Sequence, residues 1–219
     1  MKTLSKIMFV MILATISFVS YGQTYLPEGL SSNAKTRIQQ KVGQLTDYIS
    51  YMADRNNQLT TREYYKKEAL MLFCGEGERF QEPDDYGNLY WRDPVVMETT
   101  SKRYPNNPPK RQEMKGYFTN LCRMQAYSEI IIESTQWYDM KVSELKPYSE
   151  GKYECTVEFV QWFTGKKDDK IRYSDATRKK VKVYLNVINT PEGYELMILL
   201  GDVYAMETTD IDKQTLDFR

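Results

Sequence analysis

The stretch KYECTVEFVQWFT, residues 152–164, alternates apolar and polar residues for a full strand length. Tyr153, Cys155, Val157, Phe159 and Phe163 fall on one face, because successive side chains on a strand point to opposite sides. KKVKVYLNVI, residues 179–188, does the same. Val181, Val183, Leu185 and Val187 share a face, opposite Lys180, Lys182, Tyr184 and Asn186. Asn189-Thr190-Pro191-Glu192-Gly193 is a turn of hairpin length, and Tyr194 to Glu207 reads as the strand that follows it. Upstream, the isoleucine-rich Tyr127 to Thr135 and then Trp137 to Leu145 are read as strands too. The C-terminal half is therefore a sheet of long antiparallel strands.

The N-terminal half has a different period. From Asn33, the residues Ile38, Val42, Leu45, Ile49 and Met52 are spaced by four and three, which places them on one stripe of a helix. Asn56-Asn57 interrupts the pattern. A second helix is expected from a capping box at Thr60 and Glu63, running past Ala69 to Phe73 and ended by Gly75 and Gly77. Residues 75–109 are irregular, with one short strand expected around Val95 to Thr100. After Pro108-Pro109 a third helix fits Lys110 to Gln125, with Met114, Tyr117, Leu121 and Met124 on one side.

Residues 1–22 have the layout of a bacterial-type secretory signal peptide. Lys2 and Lys6 form the positive end, and Ile7 to Val19 is an apolar run too short to span a bilayer. Ser20 and Gly22 place small residues three and one positions before a cut after Gly22. The expected organisation is a leader over 1–22, a flexible lead-in over 23–32, a single α+β domain over 33–207 and a polar tail over 208–219. The expected location is outside the cytoplasm, specifically the periplasm, with no stable membrane insertion once the leader is removed.

Helices first and long strands last give an α+β layer arrangement, three N-terminal helices on a curved antiparallel sheet of four to six strands. This element order, from Asn33 to Glu207, resembles the nuclear transport factor 2-like (cystatin-like) superfamily. The resemblance implies a cone with a pocket between helices and sheet. It does not choose among the enzymes, binding domains and dimerisation modules built on that fold.

Composition removes whole classes of chemistry. The 219 residues contain no histidine, which excludes Ser-His-Asp and Cys-His catalysis and histidine-bound metals. Cys74, Cys122 and Cys155 lack paired spacing for a thiolate metal site. Their odd number requires at least one to be free, buried or paired to another chain. Cys155 reads as a small core residue, and Cys74 with Cys122 as a candidate bridge. The acidic run Glu76 to Asp85 does not match the alternating ligand spacing of a calcium loop. No metal or cofactor is expected. The 30 basic and 30 acidic residues balance, and loss of the leader leaves the chain slightly acidic. That argues against a nucleic-acid partner.

Two groups of residues stand out as candidate sites. On the last strand Asp202 and Tyr204 share a parity with Leu196, Ile198 and Leu200, while Gln161 interrupts the apolar face of its own strand. If those faces line the cone, the three form a small polar group in an apolar pocket, suited to a ligand. Gly201 could instead seat a bulge that turns Asp202 outward, with Leu199 and Val203 competing to define the buried face. The second group is Tyr86, Tyr90 and Trp91, an aromatic loop suited to a protein partner. Lys179, Lys180 and Lys182 read as a solvated basic strip. The reading favoured is a secreted, non-catalytic binding or interaction domain of the cell envelope, its partner a small molecule or an envelope protein. The alternatives are an enzyme using a pocket Asp/Tyr pair and a module that forms homodimers through the sheet.

Overall fold

The computed structural model describes residues 26, 28–84, 88–104 and 106–209. The expected leader and its cut, part of the lead-in, almost all of the tail, and Tyr86 lie outside the described residues. Helix α1 (Glu28–Ala53) carries the expected stripe, and Ile38, Val42, Leu45, Ile49 and Met52 are all buried. It begins five residues before Asn33.

Helix α2 (Leu59–Leu70) packs on α1 through Tyr65, whose ring lies 4.7 Å from Tyr51 and 5.9 Å from Tyr48. The capping box does not form: Gln58 is the N-cap and makes no side-chain cap bond. Glu63 pairs with Lys66 and, at 3.5 Å, with Arg123 on the third helix. Two cations hold a carboxylate better than one backbone N–H at a frayed helix start. The chain leaves α2 through a 3₁₀ turn, Cys74–Gly77, in which Gly75 and Gly77 adopt φ of 69° and 86°. A Cβ on Gly75 would sit 2.9 Å from the Phe80 ring, so both conformation and space require glycine there.

Two short strands, β1 (Phe80–Pro83) and β2 (Leu89–Arg92), form a separate antiparallel hairpin. Strand β3 (Val96–Thr99) follows, as expected. Residues expected to start the third helix form β4 (Lys110–Glu113) instead, and helix α3 is confined to Met114–Arg123. The open edge of β3 offers Lys110–Glu113 a ladder, from Thr99↔Lys110 to Val96↔Glu113, and that pairing overrides helix propensity. Met114, Phe118, Leu121 and Cys122 face the core, and Arg55 from α1's end satisfies the α3 carbonyls of Leu121 and Cys122.

Strand β5 (Glu129–Ser134) then leads to a stretch read from sequence as a strand over Trp137 to Leu145. It is a 3₁₀ turn, Trp137–Asp139, followed by the two-residue β6 (Lys141–Val142). Helix α1 dictates this. Gln39 donates to the Met140 carbonyl at 2.9 Å, and a Cβ on Gly43 would come within 2.7 Å of Trp137. Strand β7 (Lys146–Ser149) precedes the three longest strands, β8 (Lys152–Lys167), β9 (Lys170–Thr190) and β10 (Gly193–Thr209). Strand β9 starts nine residues before Lys179. It is joined to β8 by Asp168-Asp169 with φ of 52° and 60°, the twist that a two-residue hairpin turn requires.

The sheet order is β4-β3-β10-β9-β8-β5, with β6 and β7 also paired to β8. All pairs are antiparallel except β3 with β10, so the sheet is mixed. Helices α1 and α3 cover one face, burying Phe73, Phe118, Leu45, Val157, Leu185 and Leu200 between the layers. The outer face carries cross-strand ion pairs, Lys180 with Glu158 at 2.8 Å and Lys182 with Glu154 at 2.9 Å. Helices first and a long-stranded sheet last is the α+β layer arrangement expected from the sequence. No described helix is long and apolar enough to cross a membrane.

All three cysteines are free and buried, so the candidate Cys74–Cys122 bridge is absent. The Cys122 thiol donates instead to the Arg62 carbonyl at 3.4 Å. Burial pushes the Cys74 and Cys155 thiols up to about 12. A disulfide reagent should therefore react negligibly with the native protein at pH 8 and titrate three thiols after denaturation without reductant. A single titrated thiol would reinstate the bridge.

Candidate functional site

The inner face of β9 changes character along its length. Val181, Val183 and Leu185 pack under the helices, whereas Tyr173, Asp175, Thr177 and Lys179 continue the same face as polar groups. Their neighbours on β8 are Phe159 opposite Lys179, Gln161 opposite Thr177, and Phe163 opposite Asp175. Above this polar floor lies a cavity of about 450 Å³. Ile132 on β5 and Tyr117, Leu121 and Met124 of α3 and its cap form apolar walls, and Thr100 to Tyr104 forms the rim. One wall is an aromatic ladder, with Tyr127 edge-on to Phe163 at 5.7 Å and Phe163 edge-on to Tyr173 at 5.9 Å. Gly165 makes room for it, since a Cβ there would meet the Tyr127 ring at 2.7 Å.

Four polar side chains of the floor are nearly sealed from solvent: Gln161 at 8% exposure, Asp175 at 5%, Thr177 at 6% and Lys179 at 4%. Tyr173 ties the floor to the rim. Its hydroxyl donates to Asp175 Oδ2 at 2.5 Å, lies 2.9 Å from Ser101 Oγ, and accepts from the Lys102 N–H at 3.2 Å. The Arg103 guanidinium stacks over its ring at 5.0 Å and donates to the Arg172 carbonyl at 3.0 Å. Burial, with the bond to Asp175, raises the Tyr173 pKa. Thr177 meets Thr208 at 2.9 Å. Gln161 lines the cavity beside it.

Lys179 corrects the expectation of a solvated basic strip. Lys180 and Lys182 do face outward, but Lys179 sits on the Val181 parity and points inside. Its ammonium donates to the Glu98 carbonyl at 2.7 Å and approaches Met97 Sδ at 3.8 Å. Burial lowers its pKa to about 8, against the pull of Asp175 and Glu98.

Of the three residues expected in the pocket, only Gln161 lines it. The register slips between Leu200 and Val203, where three steps on β10 match two on β9, so a bulge holds Gly201 and Asp202. Leu200 and Val203 are both buried and Asp202 is turned to the other face. There Asp202 Oδ1 accepts the Val96 N–H at 2.9 Å and Oδ2 accepts the Tyr204 hydroxyl at 3.3 Å, fastening β3 to β10. Asp202 thus joins two strands, and neither it nor Tyr204 lines the cavity.

Tyr90 and Trp91 lie on β2, both exposed. Tyr90 reaches Glu82 at 3.2 Å, and Arg79 lies 5.9 Å from the Trp91 ring. The acidic run is engaged in similar pairs, Glu78 with Lys115 and Glu82 with Arg92. Among the described residues no group of three acidic or cysteine side chains could hold a metal ion.

No family model and no curated protein matches the chain. Solved structures do, among them the following two. One, named as a candidate scytalone dehydratase, is from Novosphingobium aromaticivorans, at 11% identity over 83% of this chain and 92% of that one, with a TM-score of 0.38. The other is the Kfla4162 protein of Kribbella flavida, at 10% identity over 80% of this chain and 94% of that one, with a TM-score of 0.35. Likeness at this level says nothing of what this chain binds or converts.

The buried ammonium sets a pH dependence. Unfolded, the amine titrates near 10.5, and folded near 8, so between those values the unfolded chain binds more protons and stability rises with pH. Below about pH 8 the full cost of burying the charge is present. Lys179→Met should therefore be more stable than wild type at pH 7, on the order of a few kcal/mol. In urea melts that advantage should shrink as pH rises from 8 towards 10.5. A difference that does not change with pH would mean the amine is not buried as a cation.

Proposed function

We propose that this chain is an exported, non-catalytic binding domain of the cell envelope that holds a small, largely apolar molecule in the cone cavity. The observation that carries this reading is the cavity of about 450 Å³, with apolar walls over a floor on which Gln161 and Thr177 are nearly sealed from solvent. Apolar walls with few convergent polar groups are the usual make-up of a ligand site. Against catalysis stand the absence of histidine and the raised pKa values of all three buried thiols, which suppress the reactive thiolate.

One feature favours a second reading, an enzyme of the Asp/Tyr type. Tyr173 and Asp175 share a 2.5 Å hydrogen bond on the cavity floor beside Lys179. That pair, rather than Asp202 and Tyr204, would handle protons on a bound substrate. A partner protein docking on Tyr90 and Trp91 and a homodimer formed through the sheet are further readings, separable by pull-down with Trp91→Ala and by light scattering.

Binding to the cavity is tested by thermal melting against small apolar acids, amides and phenols, followed by calorimetry on those that raise the midpoint. Met124→Trp, which fills the mouth from the end of α3, should weaken any such ligand by about tenfold or more. Trp91→Ala should leave it unchanged. The reverse pattern would move the binding site to the hairpin.

A further inference from the structure

We propose that residues 100–104 are a strap that gates the cavity, and that the Tyr173 hydroxyl is the latch that holds it down. The inference concerns entry to the cavity and holds whatever the cavity binds. Thr99 of β3 and Lys110 of β4 pair directly. A hairpin joins such a pair with about two to five residues, so residues 100–109 are more chain than the turn requires. The excess is not thrown out into solvent. Thr100, Ser101, Arg103 and Tyr104 all line the cavity. The segment is turned on itself, with the Tyr104 N–H donating to the Ser101 carbonyl at 3.0 Å and the Arg103 N–H to Ser101 Oγ at 3.3 Å.

None of these five residues is buried; Arg103 and Tyr104 are exposed and the others half-buried. Polar contact rather than packing therefore holds the strap, and much of it converges on Tyr173 of β9. A phenol has one proton to give and two lone pairs to offer. Tyr173 gives its proton to Asp175 on the cavity floor. The Ser101 hydroxyl at 2.9 Å and the Lys102 N–H at 3.2 Å then both donate to the phenol oxygen, which fastens strap to floor. The Lys102 ammonium lies 5.7 Å from the same ring and the Arg103 guanidinium 5.0 Å.

The two ends of the strap are held differently. Thr100 bonds Thr208 of β10, which gives a fixed end beside β3. Ser101 to Arg103 depend on Tyr173 and on the Arg172 carbonyl. Segments with few buried apolar contacts and solvent-facing hydrogen bonds open locally while the core stays closed. Loss of the latch should therefore open the rim and leave the layer between helices and sheet intact.

The test reads access to the cavity with a thiol placed inside it. Ile132 is buried and lines the cavity, so Ile132→Cys is the reporter. Cys155, buried in the core and outside the cavity lining, is the internal control. Both are followed by mass spectrometry during iodoacetamide labelling at pH 8, and the introduced thiol should react far more slowly than in the unfolded chain. Adding Tyr173→Phe, which keeps the ring and removes the hydroxyl, should speed that reaction about tenfold. Ser101→Ala, which leaves the Tyr173–Asp175 bond in place, should speed it about threefold. Cys155 should stay unlabelled throughout. Equal rates with and without these changes, or a rise matched at Cys155 in both variants, overturns the latch. An introduced thiol that already reacts as fast as in the unfolded chain overturns the strap itself.

Discussion

A lysine ammonium facing the interior is the constraint around which this cone is arranged. A strand puts every second side chain on the same face, and β9 keeps that rule without a break from Tyr173 to Leu185. Its inner face therefore cannot stay apolar unless every alternate residue is apolar. From Val181 to Leu185 it is, and α1 and α3 close over it. From Lys179 back to Tyr173 it is polar, and there the layers part to leave the cavity. Polar groups brought inside need partners, and the rim loop supplies several of them through Tyr173, Ser101 and the Lys102 N–H. The cavity is thus the consequence of extending one strand past the point where its pattern suits a dry core.

The bulge on β10 has the opposite task. Had the strand kept its register through Gly201, Asp202 would have been a second buried charge on the inner face. One extra residue turns it outward, where its carboxylate takes the otherwise open N–H of Val96 and attaches β3 in parallel. Glycine suits the position because any Cβ there would lie 2.9 Å from the Tyr184 ring. The carboxylate excluded from the pocket thereby builds the strand whose Glu98 carbonyl then holds Lys179 inside it.

Much of the fold was legible because hydrophobic period is a local property. The α1 stripe and the alternation in β8 and in the second half of β9 needed no knowledge of neighbours. What escaped depends on contacts distant in sequence. Trp137 to Leu145 reads as a strand until Gly43 and Gln39 of α1 seat it as a turn. Thr60 and Glu63 read as a capping box until Arg123 competes for the carboxylate. The candidate site was legible only at Gln161, the polar residue on an apolar face. The rest hid in a run of charged residues, Lys166 to Lys180, that resembles a loop by composition. Its signal was parity: Tyr173, Asp175, Thr177 and Lys179 are in phase with Val181 and Leu185, and following that phase backwards would have placed Lys179 inside.

The inward lysine is the claim on which both the fold account and the site account rest, and it can be observed atom by atom. Isotope-labelled lysine side chains, followed by NMR from pH 6 to 12 and assigned with Lys179→Met, report each ammonium separately. The account predicts one amine titrating near 8 and lost in the variant. If that resonance instead titrates near 10.5, the value of an amine in water, Lys179 faces solvent and is no part of the cavity floor.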